Sequence, residues 1–572
     1  MLRSQIMRKV AAEMDSLKLG SGWTLEELEM PQIMVQSSQG DSHPGSVHLG
    51  KLTDAAKKAI YEGGGKPAQY TVTDICDGIA QGHDGMNYSL ISREMIANTI
   101  EVQLKATPFD GGVFISSCDK SVPGHLMAIA RNNIPSVFVP GGVMLAGVGN
   151  LTLEQIGTYQ AKFLRKEISE EEFKYYKMNA CPSCGACQFM GTASTMQVMA
   201  EALGLALPGS SLVPAVSQEL VSYAFEAGKS IFKLVETDLT PVKILTRKAF
   251  ENAIAVHAAI AGSTNSLLHL PAIAHELGID IAPEMFDEIH RKVPYLTNIR
   301  PSGKLPAEYY WYAGGTPAIM EEIKQHLHLD VLTVTGKSLG ENLEDLKRSG
   351  YYERCYVYLE QKGVEKSVVI RPYHNPVQKQ GAVAILKGNL APEGAVVKHS
   401  AIAKEMLQMT GTARPFNSEE EAYKAVIEKR IKPGDVVLIR YEGPKGSGMP
   451  EMFYTTEAIV SDPELASSVC LITDGRYSGA TRGPAIGHVS PEAAEGGPIA
   501  LVEEGDVIRI DIPARTLEII GEKGEERSMT EIEEILKRRR DTLVMPVLKE
   551  KTGILKIYSK LAVSPMKGGY MD

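Results

Sequence analysis

The chain has 572 residues, 44% hydrophobic and 23% charged, and its 60 basic and 70 acidic residues give a formal net charge of −10. This composition excludes a disordered or collagen-like chain. The acidic balance argues against nucleic acid as a partner, and no apolar run approaches the roughly 20 residues of a membrane span. Because the amino-terminal residues lack an apolar signal segment, we expect a cytoplasmic protein.

Short apolar runs alternate with helical patterns over the first two-thirds of the chain. Residues 112–116 and 136–140 are predicted to be buried strands, and the segment between them has helical spacing, which indicates a βαβ unit. Further helices are predicted at 192–203 and 247–260, each followed by glycine. We therefore predict an α/β/α domain with a parallel sheet over residues 1–370.

The pattern changes after residue 370. Residues 371–381 are polar, contain two prolines and predict a linker. A second domain, residues 381–572, is predicted to be β-barrel-like. Its predicted strands lie at 383–386, 395–398, 436–440, 469–473 and 507–512, and an amphipathic helix is predicted at 529–541.

Three of the seven cysteines fall in CPSCGAC at 181–187. An odd number of clustered cysteines is a poor disulfide framework and suggests a metal or catalysis. The spacing is compatible with an iron–sulfur cluster, with zinc, or with three reduced and buried thiols. A ferredoxin run needs a further Cys followed by Pro, which is missing, so a cluster with an open iron is favoured over pure electron transfer.

Two Cys-Asp pairs lie elsewhere. Cys118 and Asp119 follow the predicted strand at 112–116, at the carboxyl end where sites in parallel sheets gather. Cys76 and Asp77 precede a glycine-rich segment. Because thiolates prefer iron and carboxylates prefer Mg²⁺, two such pairs suggest a soft site beside a hard one, against the alternative of ordinary turns.

Two glycine-rich loops in the second domain follow strand-like runs and carry polar residues. Neither is a Walker or Rossmann phosphate-binding motif. The loops span 440–452, with Glu442 and Glu451, and 471–483, with Asp474, Arg476, Ser478 and Arg482.

Taken together, these motifs resemble the dihydroxy-acid dehydratase/6-phosphogluconate dehydratase family. The matching segments run in family order over roughly residues 30–515. They include HPGSVHLGKL (43–52), CDGIAQGHDGMNYSLISRE (76–94), SSCDKSVPGHLMA (116–128), CPSCGACQFMGTAST (181–195), AGSTNSLLHLPAIAHELGID (261–280), GDVVLIRYEGPKGSGMPEM (434–452) and LITDGRYSGATRGPAIGHVSPEA (471–493).

The resemblance implies a hydro-lyase that converts a 2,3-dihydroxy acid into a 2-keto-3-deoxy acid with an iron–sulfur cluster and Mg²⁺. It also implies a site between an amino-terminal α/β domain and a carboxy-terminal β-barrel-like domain, in a homodimer or homotetramer. The implied roles are cluster ligands Cys118 and Cys187, Mg²⁺ ligands Asp77, Asp119 and Glu451, a carbamylated and Mg²⁺-binding Lys120, and the base Ser478; Glu442 is left a supporting role.

The sequence departs from the family pattern at Gly45, where many members have a cysteine. We predict Cys76 as the third cluster ligand, because it adjoins a Mg²⁺ ligand as Cys118 does; Cys184 or Cys181 is the alternative. The cluster type, [2Fe-2S] or [4Fe-4S], stays open.

The substrate is predicted from short motifs. GTAST at 191–195 resembles the sugar-acid dehydratases, and other segments resemble the xylonate dehydratase branch. We expect a pentonate or hexonate such as D-xylonate, with the dihydroxy-acid dehydratase of branched-chain amino-acid biosynthesis as the alternative. A non-catalytic iron–sulfur redox or sensor protein and a zinc-stabilised binding protein are the rivals from other classes.

Overall fold

A computed structural model describes residues 2–479, 481 and 483–572 of the chain. Its strands are β1 (Gln32–Ser37), β2 (Lys66–Thr71), β3 (Gly111–Ser116), β4 (Ser136–Pro140), β5 (Val383–Leu386), β6 (Gly394–Lys398), β7 (Gln408–Phe416), β8 (Asp435–Ile439), β9 (Cys470–Thr473), β10 (Ala485–Ser490), β11 (Val507–Asp511), β12 (Thr516–Glu522) and β13 (Glu525–Glu526).

The α-helices include many short ones. In chain order they are α1 (Arg3–Val10), α2 (Glu13–Gly20), α3 (Leu25–Glu29), α4 (Leu49–Glu62), α5 (Asp77–Ala80), α6 (Ser89–Ala106), α7 (Ser121–Asn132), α8 (Ile156–Leu164), α9 (Glu170–Asn179), α10 (Thr192–Ala202), α11 (Gln218–Glu236), α12 (Pro241–Ile244), α13 (Arg247–Ile260), α14 (Ser266–His275), α15 (Pro283–Lys292), α16 (Glu308–Tyr312), α17 (Gly315–Glu322), α18 (Leu339–Arg348), α19 (Tyr351–Gln361), α20 (Lys366–Val369), α21 (Glu419–Ile427), α22 (Phe453–Val460), α23 (Pro463–Ala466), α24 (Met529–Asp541) and α25 (Gly553–Leu561).

The amino-terminal sheet has four parallel strands in the order β2-β1-β3-β4. Strands β1, β3 and β4 are buried along their whole length, as expected for a parallel sheet covered by helices. Helices α4 and α11 pack against each other and against this sheet, and α7 packs against β3, β4 and α6. The predicted βαβ unit is β3-α7-β4, so the predicted α/β fold is confirmed here.

The carboxy-terminal sheet has nine strands in the order β13-β12-β11-β7-β8-β9-β10-β6-β5. Its pairing is mixed: β7, β8, β9 and β10 run parallel, and the flanking strands are antiparallel. A bridge between Lys387, just after β5, and Thr516 on β12 joins strands from the two ends of this order, so the sheet curls back on itself. This agrees with the barrel-like prediction.

The predicted strands of this sheet match β5, β6, β8, β9 and β11, and the predicted helix matches α24. Strands β7, β10, β12 and β13 were not predicted from the sequence. Strand β7 has a half-exposed, polar pattern, whereas β10 is buried along its whole length. The parallel centre of the sheet was not predicted either, since α21 and α22 are short. The predicted division at residues 370–381 stays a prediction; the two sheets lie on either side of it.

No helix in the described part of the chain is long and apolar enough to cross a membrane.

Candidate active site

Three loops meet at the carboxyl edge of the amino-terminal sheet. They follow β1, β2 and β3, which are neighbours in the sheet, and they carry residues 38–48, 72–77 and 117–120. Because parallel strands end at the same edge, side chains far apart in sequence converge there. This edge holds both predicted Cys-Asp pairs.

Three carboxylates form a compact group. Asp77, Asp119 and Glu451 each place one oxygen within 4.8 Å of the other two. Asp77 and Glu451 are buried, and Asp119 is half-buried. A cluster of hard oxygen donors at this spacing suits a divalent cation such as Mg²⁺. The structure thus brings together the three carboxylates that the sequence analysis named for Mg²⁺.

Two buried cations border this group. Lys120 Nζ donates to Asp77 Oδ2 at 2.7 Å, and the guanidinium of Arg476 donates to Glu451 Oε1 at 2.5 Å. Burial opposes the ionisation of Asp77, but the charges of Lys120 and Arg476 outweigh it and hold the Asp77 pKa below its usual value. Ser89 Oγ lies 2.8 Å from both Asp77 oxygens, and Arg476 donates to Ser89 Oγ at 2.7 Å.

Asp119 has a different environment. Burial, followed by the negative charge of Asp77, raises the Asp119 pKa to about 7. Like-charged carboxylates at short range disfavour ionisation of one of them unless a cation lies between them. The Asp77 pKa is therefore lowered and the Asp119 pKa is raised, and a cation bound between the two carboxylates would favour the ionised form of both.

Glu451 lies in the second region of the chain, residues 381–572 with the carboxy-terminal sheet, and reaches the first region, residues 2–370 with the amino-terminal sheet. Its Oε2 accepts from Gln81 Nε2 at 3.1 Å, and its Oε1 accepts from Asn265 Nδ2 at 3.1 Å. A β-bridge joins residues 451 and 476, so backbone pairing fixes the Glu451 and Arg476 side chains relative to each other. These contacts place the carboxylate of Glu451 among the residues of the first region.

The predicted cluster cysteines lie beside the carboxylates. Cys118 follows β3, Cys187 lies shortly before α10, and Cys76 immediately precedes α5. Burial raises the pKa of the Cys76 thiol to about 11. Burial, together with nearby negative charges that include Asp119 and Cys76, raises the pKa values of Cys118 and Cys187 well above normal. Thiols of this kind need a metal to become thiolates.

The three cysteines are not close enough to share one metal ion. Within the described residues, the group that holds Cys118 at mutual distances under 4.8 Å contains His43 and Asp74 instead. Of the alternative third ligands, Cys181 is exposed and Cys184 is half-buried. The identity of the third ligand stays a prediction at this point.

The loop that carries Ser478 follows β9 and docks on the loop of Cys187. A β-carbon added at Gly479 would lie 2.4 Å from Gly191 Cα, so the two backbones touch where α10 begins. Only glycine permits such an approach. The loop of the predicted base and the loop of a predicted cluster ligand therefore meet directly.

Ser478 is half-buried and lines a cavity of about 20 Å³ together with Ser263, Thr264, Lys398 and His488. Burial lowers the Lys398 pKa to about 7. Arg482, which the sequence analysis noted in the same loop, lies outside the described residues.

A larger cavity, about 600 Å³, reaches Glu451 from another side. Glu442 also lines it, accepts a hydrogen bond from Ser447 Oγ and has its pKa raised to about 8 by burial. Glu442 is absent from the carboxylate group of Asp77, Asp119 and Glu451. This placement fits the supporting role that the sequence analysis gave it.

Several residues of the site were missed by the sequence analysis. Arg476 was named only as part of a loop, and Ser89 and Asn265 only inside longer quoted segments. His43 and Asp74 were given no role. Only three-dimensional proximity reveals these residues, because each is a common residue type in a loop or at a helix start.

Comparison with known proteins gives a consistent result. Residues 30–342 match the family model described as dihydroxy-acid/6-phosphogluconate dehydratase N-terminal, and residues 368–569 match its C-terminal counterpart. The dihydroxy-acid dehydratase of Caldanaerobacter subterraneus subsp. tengcongensis is 47% identical over 559 residues, 97% of this chain and 96% of the relative.

Two further relatives cover the chain as fully. The dihydroxy-acid dehydratase of Acetivibrio thermocellus is 47% identical over 562 residues, 96% of each chain. Dihydroxy-acid dehydratase 1 of Methanosarcina acetivorans is 44% identical over 565 residues, 97% of each chain. These relatives are not named as sugar-acid dehydratases, so the expected closeness to the xylonate branch is not shown.

Proposed function

The chain belongs to the dihydroxy-acid/6-phosphogluconate dehydratase family, and we propose that it dehydrates a branched-chain 2,3-dihydroxy acid to the 2-oxo acid. Membership makes it a hydro-lyase, and enzymes of this family use an iron–sulfur cluster and Mg²⁺. The carboxylate group of Asp77, Asp119 and Glu451 is the observation that carries the proposal. A redox carrier or a zinc-stabilised protein has no need of such a group.

The residues fit both cofactors. Asp77, Asp119 and Glu451 would hold Mg²⁺, with Lys120 as a fourth ligand if it is carbamylated. Cys118 and Cys187 would hold the cluster; Cys76 stays the predicted third ligand. When bound, the cluster supplies a Lewis acid for the departing C3 hydroxyl, and Mg²⁺ supplies a hard cation for the substrate carboxylate and C2 hydroxyl.

Ser478 is the residue that we propose as the base for the C2 proton. A serine hydroxyl is a weak base unless a nearby positive charge stabilises its alkoxide. Arg476 and Lys120 are buried beside the carboxylate group and add positive charge to it. Arg476 also fixes Glu451. The loop that carries Ser478 therefore also carries the side chain that positions one of the proposed metal ligands.

The choice of substrate rests on the relatives. Identities of 44–47% over nearly the whole chain carry more weight than the five-residue GTAST motif that suggested a sugar acid. We therefore propose 2,3-dihydroxyisovalerate-type acids first and keep pentonates and hexonates as the second candidate. A homodimer or homotetramer stays a prediction.

The deciding experiment is 2-oxo acid formation by anaerobically purified protein with Mg²⁺, across 2,3-dihydroxyisovalerate, pentonates and hexonates. We expect the highest kcat/KM for dihydroxyisovalerate. Higher kcat/KM for a pentonate or hexonate would restore the sugar-acid hypothesis. Turnover of none of these acids by a protein loaded with cluster and Mg²⁺ would contradict the proposed function.

Ser478→Ala in the same assay tests the base. Loss of a general base typically lowers the rate about 10²–10⁴-fold. We expect a loss of that size with cluster and Mg²⁺ contents unchanged, whereas Ser461→Ala, whose hydroxyl donates to the Ala458 carbonyl of α22, should retain wild-type turnover. Equal activity of the two variants would remove Ser478 from the mechanism.

A further inference from the structure

The loop after β1 covers the Cys118 thiol. A β-carbon added at Gly45 would lie 2.3 Å from Cys118 Sγ, and Ser117 Oγ donates to the Gly45 carbonyl. Any metal held by Cys118 therefore lies within reach of this loop. A donor of this loop that lies beside the Cys118 thiol is the imidazole of His43, which is 4% exposed.

The distance between His43 and Cys118 suits two ligands of one metal ion. His43 Nδ1 lies 3.7 Å from Cys118 Sγ. Bonds of about 2.3 Å to sulfur and about 2.0 Å to nitrogen at a tetrahedral ion place the two donor atoms about 3.5 Å apart. Ligands on different metal ions of one cluster lie farther apart, because the metals and sulfides separate them.

The other nitrogen of the ring faces a buried carboxylate. His43 Nε2 lies 3.9 Å from Asp74 Oδ2, and the Asp74 side chain is 2% exposed. His43 Nε2 makes no hydrogen bond among the residues that the structure describes. The Asp74 oxygens make none of good geometry there, although the Ser38 and Ser121 hydroxyls and the Ile75 N–H lie beside them. Buried polar atoms are seldom left without partners, so this arrangement needs an explanation.

Metal ligation explains it. A metal-bound histidine commonly directs its second nitrogen to a carboxylate, which orients the ring and raises its basicity. The Asp74 carboxylate, the His43 ring and the Cys118 thiol lie next to one another in this order. They come from three different loops, which follow β2, β1 and β3 respectively.

We propose that His43 is a protein ligand to the same iron as Cys118, with Asp74 as the residue that orients its ring. This inference rests on the proposed function, which supplies the cluster. It assigns the third protein ligand to a nitrogen donor and replaces the prediction for Cys76. Two protein ligands on one iron require a [2Fe-2S] cluster, because each iron of a [4Fe-4S] cluster already carries three sulfides and takes one further ligand. The cluster would then have mixed sulfur and nitrogen ligation, with Cys187 on the second iron and the position open to substrate on that iron.

The test is pulsed EPR of the dithionite-reduced, anaerobically purified protein, with natural-abundance and ¹⁵N-labelled histidine. We expect a nitrogen coupling typical of directly bonded imidazole, with the isotope change upon labelling. It should vanish in His43→Ala and persist in Cys76→Ser and in His48→Gln, which removes a second buried histidine of the same loop. These spectra do not depend on turnover.

Two further variants keep the test decisive if His43→Ala loses its cluster. His43→Cys should restore a cluster without nitrogen coupling and with a lower reduction potential, since histidine in place of cysteine raises the potential. Asp74→Asn should weaken cluster retention about 10–100-fold, the usual cost of losing such a partner.

A wild-type cluster that supports turnover but shows no histidine coupling would overturn the inference and leave the proposed function intact. Coupling that persists in His43→Ala would also overturn it. Wild-type protein that binds no iron under these conditions would overturn the proposed function as well.

Discussion

The two regions of the chain build the site in different ways. The first region places its donors at the ends of regular parallel strands, as in Cys118 and Asp119 after β3. The second region uses irregular loops, in which the non-glycine residues Tyr441 and Met449 have φ values of 67° and 61°. Residues held in this left-handed conformation are costly and cluster at functional sites.

This difference shows that the order of parallel strands is enough to position the side chains of the first region, whereas the second region needs additional contacts. Parallel strands bring their ends together without special backbone conformations. The second region must instead fold two loops toward the first, and Arg476 is the side chain that fixes them there. It contacts Glu451 of its own region, and Asp77 and Ser89 of the other.

Removing that link should have the largest effect on stability. Arg476→Met leaves Glu451 and Asp77 buried with less positive charge, and breaking a buried ion pair usually costs about 3–5 kcal/mol. We expect a marked fall in the thermal unfolding midpoint, measured by calorimetry.

Arg414→Met is the matched control, because Arg414 pairs with Asp435 and Glu504 within the second region and is 28% exposed. It should cost less than about 1 kcal/mol. Equal destabilisation by the two variants would mean that Arg476 does not link the regions.

A substitution at the contact between Gly479 and Gly191 should have a smaller effect on stability than Arg476→Met. Gly479→Ala introduces a β-carbon 2.4 Å from Gly191 Cα, so the Ser478 loop must shift. Overpacking of this kind costs about 1–3 kcal/mol. We expect a lower kcat with unchanged Mg²⁺ affinity, because the carboxylates are positioned by other contacts.

Gly20→Ala, at a position with no atom within 4 Å of the added β-carbon, is the control for this substitution. Its kcat should equal that of the wild type. A Gly479→Ala enzyme with wild-type kcat would show that the Ser478 loop tolerates displacement.

The sequence predicted the first region better than the second for the same physical reason. Buried parallel strands such as β3 and β4 are continuous apolar runs, and residues that follow them must meet. In the second region, β7 has a half-exposed and polar pattern that gives no such signal. Ser478 and Glu451 were assigned roles through family resemblance, while the contacts of Arg476, His43 and Asp74 depend on tertiary packing that no spacing encodes.

Glu442 and Glu451 lie in one loop, but of these two residues only Glu451 belongs to the carboxylate group with Asp77 and Asp119. Burial raises the Glu442 pKa from 4.5 to about 8, so the folded protein binds its proton more tightly than the unfolded chain does. Stability from this group is therefore present at low pH and is lost as pH rises from about 4.5 through about 8.

Glu442→Gln should abolish this loss of stability at high pH, because the glutamine side chain does not ionise. We expect turnover at pH 7 close to wild type, and at pH 9 a gain in stability on the order of 1–3 kcal/mol relative to wild type. Unfolding measured at pH 6 and pH 9 checks this, with the exposed Glu464→Gln as the control that should show no such difference. Loss of Mg²⁺ affinity in Glu442→Gln would instead make Glu442 a metal ligand and erase the distinction from Glu451, because a carboxylate that binds Mg²⁺ must be ionised at neutral pH.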